Sequence, residues 1–276
     1  MQLITTKNID ELNWQVAEWM TGYINEVLKE QERFTIVLSG GSTPKKLYRL
    51  LASDEFKEKI DWEKLHIFWG DERYVPITDD RNNAKMAFDT LLRHVPVPKL
   101  QIHVMRTDIG PEESASEYEK LLEKYFPEAA SFELRASSKQ SSHDSRPDSH
   151  RDTTHDSNHG SQLTARSFDL VLLGLGDNAH TLSLFPGEEI IHEKNRWVKS
   201  VFVKEVNMQR ITLTAPVVNL SKRIAFLVSG QDKADAVSHV LLNEYTPDLY
   251  PAQVIKPKNG DLFWFLDEAA AMRLKK

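Results

Sequence analysis

FDLVLLGLGDNAHTLSLFPG, residues 168–187, sets the architecture of this chain. Its first six positions are almost wholly apolar and stop at a glycine, the pattern of a short buried strand. Behind them comes a glycine-rich turn holding one histidine, His180. A buried strand that empties into such a turn belongs to an open α/β sheet, whose ligands bind in the crevice outside the carboxyl ends of the strands. The reading puts His180 at the mouth of that crevice.

Working outward, helical and strand patterns alternate. Residues 10–33 predict an amphipathic helix, with Leu12, Val16, Trp19, Ile24 and Leu28 spaced roughly on one face, and Phe34–Leu38 predicts a buried strand. Further helices are expected over 45–51, 82–92, 114–125 and Ala234–Leu242. Further strands are expected at Leu65–Trp69, 197–203, 224–228 and 262–266. Alternation of this kind predicts an α/β fold with a doubly wound, largely parallel sheet flanked by helices on both faces. At 276 residues the chain is expected to form one domain, 1–276.

Composition narrows the function classes. A charged fraction of 28%, an aromatic fraction of 9% and a net charge of −6 fit a soluble globular protein and argue against a broad electrostatic footprint for nucleic acid. The absence of cysteine excludes disulfides, thiolate catalysis and sulfur-ligated metals. The first ten residues lack the apolar core of a signal peptide and no later apolar run approaches membrane-spanning length, so a cytoplasmic protein without membrane contact is expected. One stretch breaks the pattern: about 131–167 is rich in Ser, Asp, Arg and His and poor in large apolar side chains, which predicts a disordered insertion. It carries His143, His150, His155 and His159, whose irregular spacing on no rigid frame reads as solvated loop rather than metal site.

Three segments carry chemistry. At Ser39-Gly40-Gly41-Ser42-Thr43-Pro44 two glycines let the backbone approach a ligand, two hydroxyls follow, and a helix beginning near Pro44 aims its N–H groups at the same point. That is a phosphate cradle, although a plain strand-to-helix turn would read the same. It is not the nucleotide P-loop, because no Gly-Lys-Ser/Thr completes it. Gly70-Asp71-Glu72-Arg73 ends the next strand, so Asp71, Glu72 and Arg73 can be brought beside the cradle, where an arginine can fork onto phosphate or steady a developing negative charge. A structural ion pair would look identical at this level. The third segment is the opening one. Its Gly174-Leu175-Gly176-Asp177-Asn178-Ala179 matches the dinucleotide fingerprint, but Pro186-Gly187 interrupts the helix that fingerprint requires and the motif follows a late strand, so no nucleotide cofactor is expected. His180 is left, able to take a proton from water near neutral pH.

Taken together, SGGSTP at 39–44, GDERYVP at 70–76 with Asn82-Asn83, LLGLGDNAHTLSLFPG at 172–187, RITLT at 210–214 and SGQDKADAV at 229–237 resemble the 6-phosphogluconolactonases, in the right order and along the whole chain apart from the insertion. The resemblance implies a sugar-phosphate isomerase-like fold shared with glucosamine-6-phosphate deaminases, and hydrolysis of 6-phospho-D-glucono-1,5-lactone in the pentose phosphate pathway. It implies no metal and no organic cofactor, and a small phosphosugar lactone as the partner. It also implies His180 as general base with Arg73 and Asp71 beside it. The substrate phosphate would lie on Gly40, Gly41, Ser42 and Thr43 with Arg210 and Lys233, and the oxyanion on the turn containing Gly174, Gly176 and Asn178. The deaminases typically carry a tyrosine or similar residue after the Asp-Glu pair and end the histidine segment in Asn-Glu-Pro-Gly; Arg73 and Leu184-Phe185-Pro186-Gly187 stand there instead. A deaminase or isomerase, or a non-catalytic sugar-phosphate binder on the same fold, is the alternative. In the lactonases the histidine loop usually reads Asp-Gly-His, whereas this chain has Asn178-Ala179-His180 with an aspartate one place earlier, Asp177.

Overall fold

Residues 1–127 and 167–274 are described by a computed structural model. The expected insertion and its four histidines lie outside the described residues, except for Ser167, which is buried. The described strands are β1 (Gln2–Thr6), β2 (Phe34–Leu38), β3 (Leu65–Trp69), β4 (Asp71–Arg73), β5 (Leu170–Leu173), β6 (Val198–Val203), β7 (Met208–Leu213), β8 (Arg223–Val228) and β9 (Asp261–Asp267). The α-helices are α1 (Ile9–Val27), α2 (Ser42–Leu51), α3 (Asn83–Ala87), α4 (Pro111–Tyr125), α5 (Ala215–Val218) and α6 (Ala234–Leu242).

Six strands form one sheet in the order β1-β9-β8-β5-β2-β3, and every pair in it is parallel. Because successive strand residues point to opposite faces, each strand feeds two cores. Phe34, Ile36, Leu38, Leu170 and Leu172 pack in the cluster that holds α1 and α2, while Val37, Val171 and Leu173 pack in the one that holds α4 and α6. This double coverage explains why the strands read as continuous apolar runs.

Local chemistry sets the helix ends. Asn8 caps α1 by accepting from the Asp10 and Glu11 N–H groups, and the helix stops at Val27 because residues 29–33, KEQER, offer no apolar side chain to anchor another turn. The expected helix over 82–92 is α-helical only through Ala87 and then widens into a π turn, Phe88–Leu92, where the Arg93 N–H reaches back to the Phe88 carbonyl. Helix α2 starts at Ser42 rather than 45, since Pro44 is tolerated in a first turn whose N–H groups have no intrahelical partner anyway.

Two strand expectations need correction. β1 and β7 are not expected from the sequence; β1 is an edge strand paired with β9, and its five residues, of which only Thr6 is buried, carry too little apolar pattern to stand out. The strand expected over 197–203 does not join the parallel sheet. As β6 it pairs antiparallel with β7, which pairs with β4, forming a separate three-stranded sheet beside the crevice. β6 and β7 form a hairpin, but the β4–β7 pairing joins segments far apart in the chain, and no local pattern encodes it.

Candidate active site

From β2 the chain crosses to β3 on one side of the sheet, and from β5 it leads to β8 on the other, so β2 and β5 flank the topological switch point. A crevice must open there, beyond the carboxyl ends of these strands. It is a cavity of about 400 Å³ whose walls include Gly40 to Pro44, Asp71, Arg73, Gly174 to Gly176, His180, Phe185, Arg210, Ser229 and Lys233. The three segments singled out by sequence thus meet in one pocket. No α-helix opens at the glycine turn after β5, so the dinucleotide fingerprint has no helix dipole to offer a pyrophosphate.

Two helix starts converge on the pocket. Gly41, at φ +108°, caps α2 and leaves the N–H groups of its first turn pointing outward. The turn is anchored by buried Tyr48, whose hydroxyl accepts from the Ser39 N–H at 2.9 Å and donates to the Ser39 carbonyl at 2.8 Å. Gly40 is held against Asn83 so closely that a Cβ would lie 2.0 Å from its Oδ1. After β8 the same device recurs: Gly230, at φ +104°, turns the chain into the 3₁₀ segment Gln231–Lys233 ahead of α6.

The cationic wall comes from the small sheet. Arg73 on β4 stands directly opposite Arg210 on β7, and the Nε atoms of both are buried with no hydrogen-bond partner in the protein. Arg73 Nη1 donates to the Arg81 carbonyl at 2.8 Å, and the two guanidiniums make this wall of the pocket cationic. Asp71, expected as a catalytic residue, lines the pocket with a carboxylate that already has partners. Its oxygens accept from Ser183 Oγ at 2.8 Å and from Asn83 Nδ2 at 3.3 Å, and Arg210 lies 3.6 Å away, so it holds Arg210 in place. Glu72 faces away from the pocket, accepting from the Arg73, Asn83 and Ala84 N–H groups; burial nevertheless pushes it up to about 7. Lys233 pairs with Asp232 at 3.1 Å on the far rim.

His180 occupies the opposite wall. Its ring stacks on buried Phe185 with centroids 3.9 Å apart, and its Nδ1 lies 2.6 Å from Asn178 Oδ1. Since that oxygen only accepts, Nδ1 carries the proton and Nε2 is the bare nitrogen. Burial lowers the His180 pKa to about 4; Arg210 and Lys233 push the same way, while Asp71 and Asp177 oppose them. The imidazole is neutral near pH 7 and ready to accept a proton.

In the turn expected to hold the oxyanion, several N–H groups already have partners. The Gly176 N–H donates to the His180 carbonyl, the Asn178 N–H to Asp177 Oδ1 and the His180 N–H to Asn178 Oδ1, so these groups are engaged inside the turn. Gly174 offers its carbonyl to Thr181 Oγ1 at 2.9 Å. Asn178 instead orients the histidine. Ala179, where the lactonases usually carry glycine, adopts φ 63°, so the left-handed turn is kept at the cost of a Cβ in a crowded conformation. Phe185 and Glu205, whose carboxylate accepts from Asn178 Nδ2, were not singled out by sequence. Phe185 could have been suspected from its place in the motif; nothing local marks Glu205.

A pocket at the switch point of a parallel sheet, cationic on one wall and lined by a neutral histidine on the other, is the site of an α/β protein that handles a small anion. The chain belongs to the glucosamine-6-phosphate isomerase/6-phosphogluconolactonase family, whose model matches residues 7–264. It is 36% identical over 252 residues to a 6-phosphogluconolactonase of Nostoc sp., covering 91% of this chain and 89% of that one. It is 35% identical over 258 residues to a 6-phosphogluconolactonase of Synechocystis sp., covering 93% and 91%. The solved structure of the devB protein superposes with a TM-score of 0.79 at 27% identity, covering 99% of each chain. Among the described residues no helix is long and apolar enough to cross a membrane, and no group of three or more His, Asp or Glu is placed to hold a metal ion.

Proposed function

We propose that this chain is a 6-phosphogluconolactonase, hydrolysing 6-phospho-D-glucono-1,5-lactone to 6-phospho-D-gluconate in the oxidative pentose phosphate pathway. The observation that carries the reading is the neutral, stacked and oriented His180 facing a cationic wall across one pocket. The family includes both isomerases and lactonases; the curated relatives named above are lactonases, and the local residues Arg73 and Leu184-Phe185-Pro186-Gly187 favour the same activity.

A lactone is an activated ester, so its hydrolysis asks for a positioned water, a base and charge stabilisation. His180 Nε2 takes a proton from the water as its oxygen bonds to C1, and the carbonyl π electrons move onto the carbonyl oxygen. Collapse of the tetrahedral intermediate breaks the bond from C1 to the ring oxygen, which leaves with the proton that His180 returns. The phosphate rests on Gly40 to Thr43 at the start of α2 with Arg210 and Lys233, and Arg73 steadies the negative charge that develops on the carbonyl oxygen. We read residues 1–276 as one lactonase domain, supported by a family match spanning 7–264, and place it in the cytoplasm, where a chain lacking cysteine forgoes no disulfide.

The test is lactone turnover by the purified chain, corrected for spontaneous hydrolysis and followed through oxidative decarboxylation of the product, with and without a chelator. Turnover well above background and indifferent to chelator is expected. Ammonia release from glucosamine 6-phosphate would identify a deaminase, and ligand binding without turnover a sugar-phosphate binder.

A further inference from the structure

We infer that Glu205 is a positioning residue for the His180 base: it locks the side-chain amide of Asn178 in the one orientation that keeps His180 protonated on Nδ1 and bare on Nε2. The inference rests on the lactonase reading for its kinetic arm only.

An asparagine beside a catalytic histidine is ambiguous in a way that an aspartate is not. One end of its amide accepts and the other donates, so a flip would present NH₂ to Nδ1 and favour the opposite tautomer, with the proton on Nε2 and the base disabled. Here Asn178 Oδ1 receives the Nδ1–H at 2.6 Å and the His180 backbone N–H at 3.1 Å, while Nδ2 lies 2.8 Å and 2.9 Å from the two carboxylate oxygens of Glu205. A carboxylate only accepts, so a flipped amide would set a carbonyl oxygen against both of its oxygens. Glu205, together with the His180 backbone N–H that also needs Oδ1, therefore selects the tautomer without touching the ring.

Its negative charge also lies at the far end of a polarised chain, where it favours the imidazolium that forms as the proton is taken. The charged groups that act on His180 are Asp71, Arg210 and Lys233 from other elements and Asp177 from its own turn, none of which bonds the ring nitrogen that Asn178 holds. Position supports the role. Glu205 is in the tight turn between β6 and β7, shaped by Asn207 at φ 46°, and its neighbour Val206 lines the pocket. The antiparallel sheet that supplies Arg73 and Arg210 thus also reaches across to the base.

The experiment compares Glu205→Ala, Glu205→Gln, Asn178→Asp and the double variant Glu205→Ala/Asn178→Asp with the unaltered chain. Lactonase kinetics are read alongside the imidazole ¹⁵N shifts of His180, which report its tautomer. Because Glu205 is exposed, its removal should leave thermal stability nearly unchanged. Glu205→Ala should lower kcat roughly tenfold with KM unchanged and convert His180 to a tautomer mixture, as loss of an outer orienting partner does elsewhere. Glu205→Gln, whose amide can donate as well as accept, no longer excludes the flipped Asn178 and should give a tautomer mixture and a loss of kcat close to those of Glu205→Ala. Asn178→Asp alone should lower kcat, because two carboxylates would then face each other, but in the Glu205→Ala background it should restore it, since an aspartate has no wrong end to present. Wild-type kcat and an unchanged tautomer in Glu205→Ala, or no recovery in the double variant, overturns the assignment. A chain without lactone turnover would refute the lactonase reading, and the ¹⁵N tautomer comparison would still decide the role of Glu205.

Discussion

Replacing Gly176 with alanine should disable the base without altering the phosphate site. The glycine lies under the His180–Asn178 pair: an added Cβ would fall 2.0 Å from His180 Nδ1, 2.3 Å from its Cε1 and 2.8 Å from Asn178 Oδ1. Ordinary contact begins near 3.4 Å, so the ring must retreat by about 1.4 Å. Retreat is resisted on one side by Phe185, stacked 3.9 Å away, and the Nδ1 bond to Asn178 cannot survive such a shift unstretched. The backbone at Gly176 is not in the left-handed region, so alanine brings no torsional strain and the fold should persist. Misplacing a catalytic group by about 1 Å can cost roughly a hundredfold in rate, close to the loss of about 10² to 10⁴ expected when His180 itself becomes alanine. KM should hold, because Ser42, Thr43, Arg210 and Lys233 are carried by other elements. Steady-state kinetics on lactone, with the spontaneous rate subtracted and the fold checked by circular dichroism, tests this. A Gly176→Ala variant with wild-type kcat would show that the ring position is not what the reaction depends on.

Other consequences are as direct. Activity measured as kcat/KM should stay level as pH falls and decline only through about 4, where His180 protonates; a decline centred near the ordinary 6.5 would refute the buried base. His66, His103 and His180 are each held down to about 4 by burial, so the unfolded chain binds more protons than the folded one between about 4 and 6.5 and stability must fall as pH drops through that window. Urea midpoints that are equal at pH 7 and pH 4.5 would contradict this. Arg210→Ala should raise KM by roughly tenfold to a hundredfold, the worth of a charge-assisted contact of about 1.5–3 kcal/mol, with a smaller change in kcat. Glu72→Gln turns an NH₂ group toward the N–H donors at the start of α3 and should cost about 1–3 kcal/mol in chemical denaturation.

The alternation of apolar runs with amphipathic segments carried the doubly wound parallel sheet, because strand and helix periods are local properties of the chain. The cradle at Gly40 to Thr43 and the turn at His180 were legible for the same reason: glycine spacing and strand ends are written in consecutive residues. The family resemblance also brought Arg210 and Lys233 into view. Beyond this the local signal ends. That Arg73 and Arg210 face each other follows from the pairing of β4 with β7, two segments more than a hundred residues apart. That Asp71 sits against Arg210 depends on where Ser183 and Asn83 arrive around it. Asn178 read as the loss of a carboxylate partner, and only the fold brings one back, at one remove, by setting Glu205 on a hairpin tip against the free end of its amide. The chain's periodicity determines which layers form; which side chains meet across the crevice is a matter of long-range pairing and register, and these exist only once the two sheets have packed.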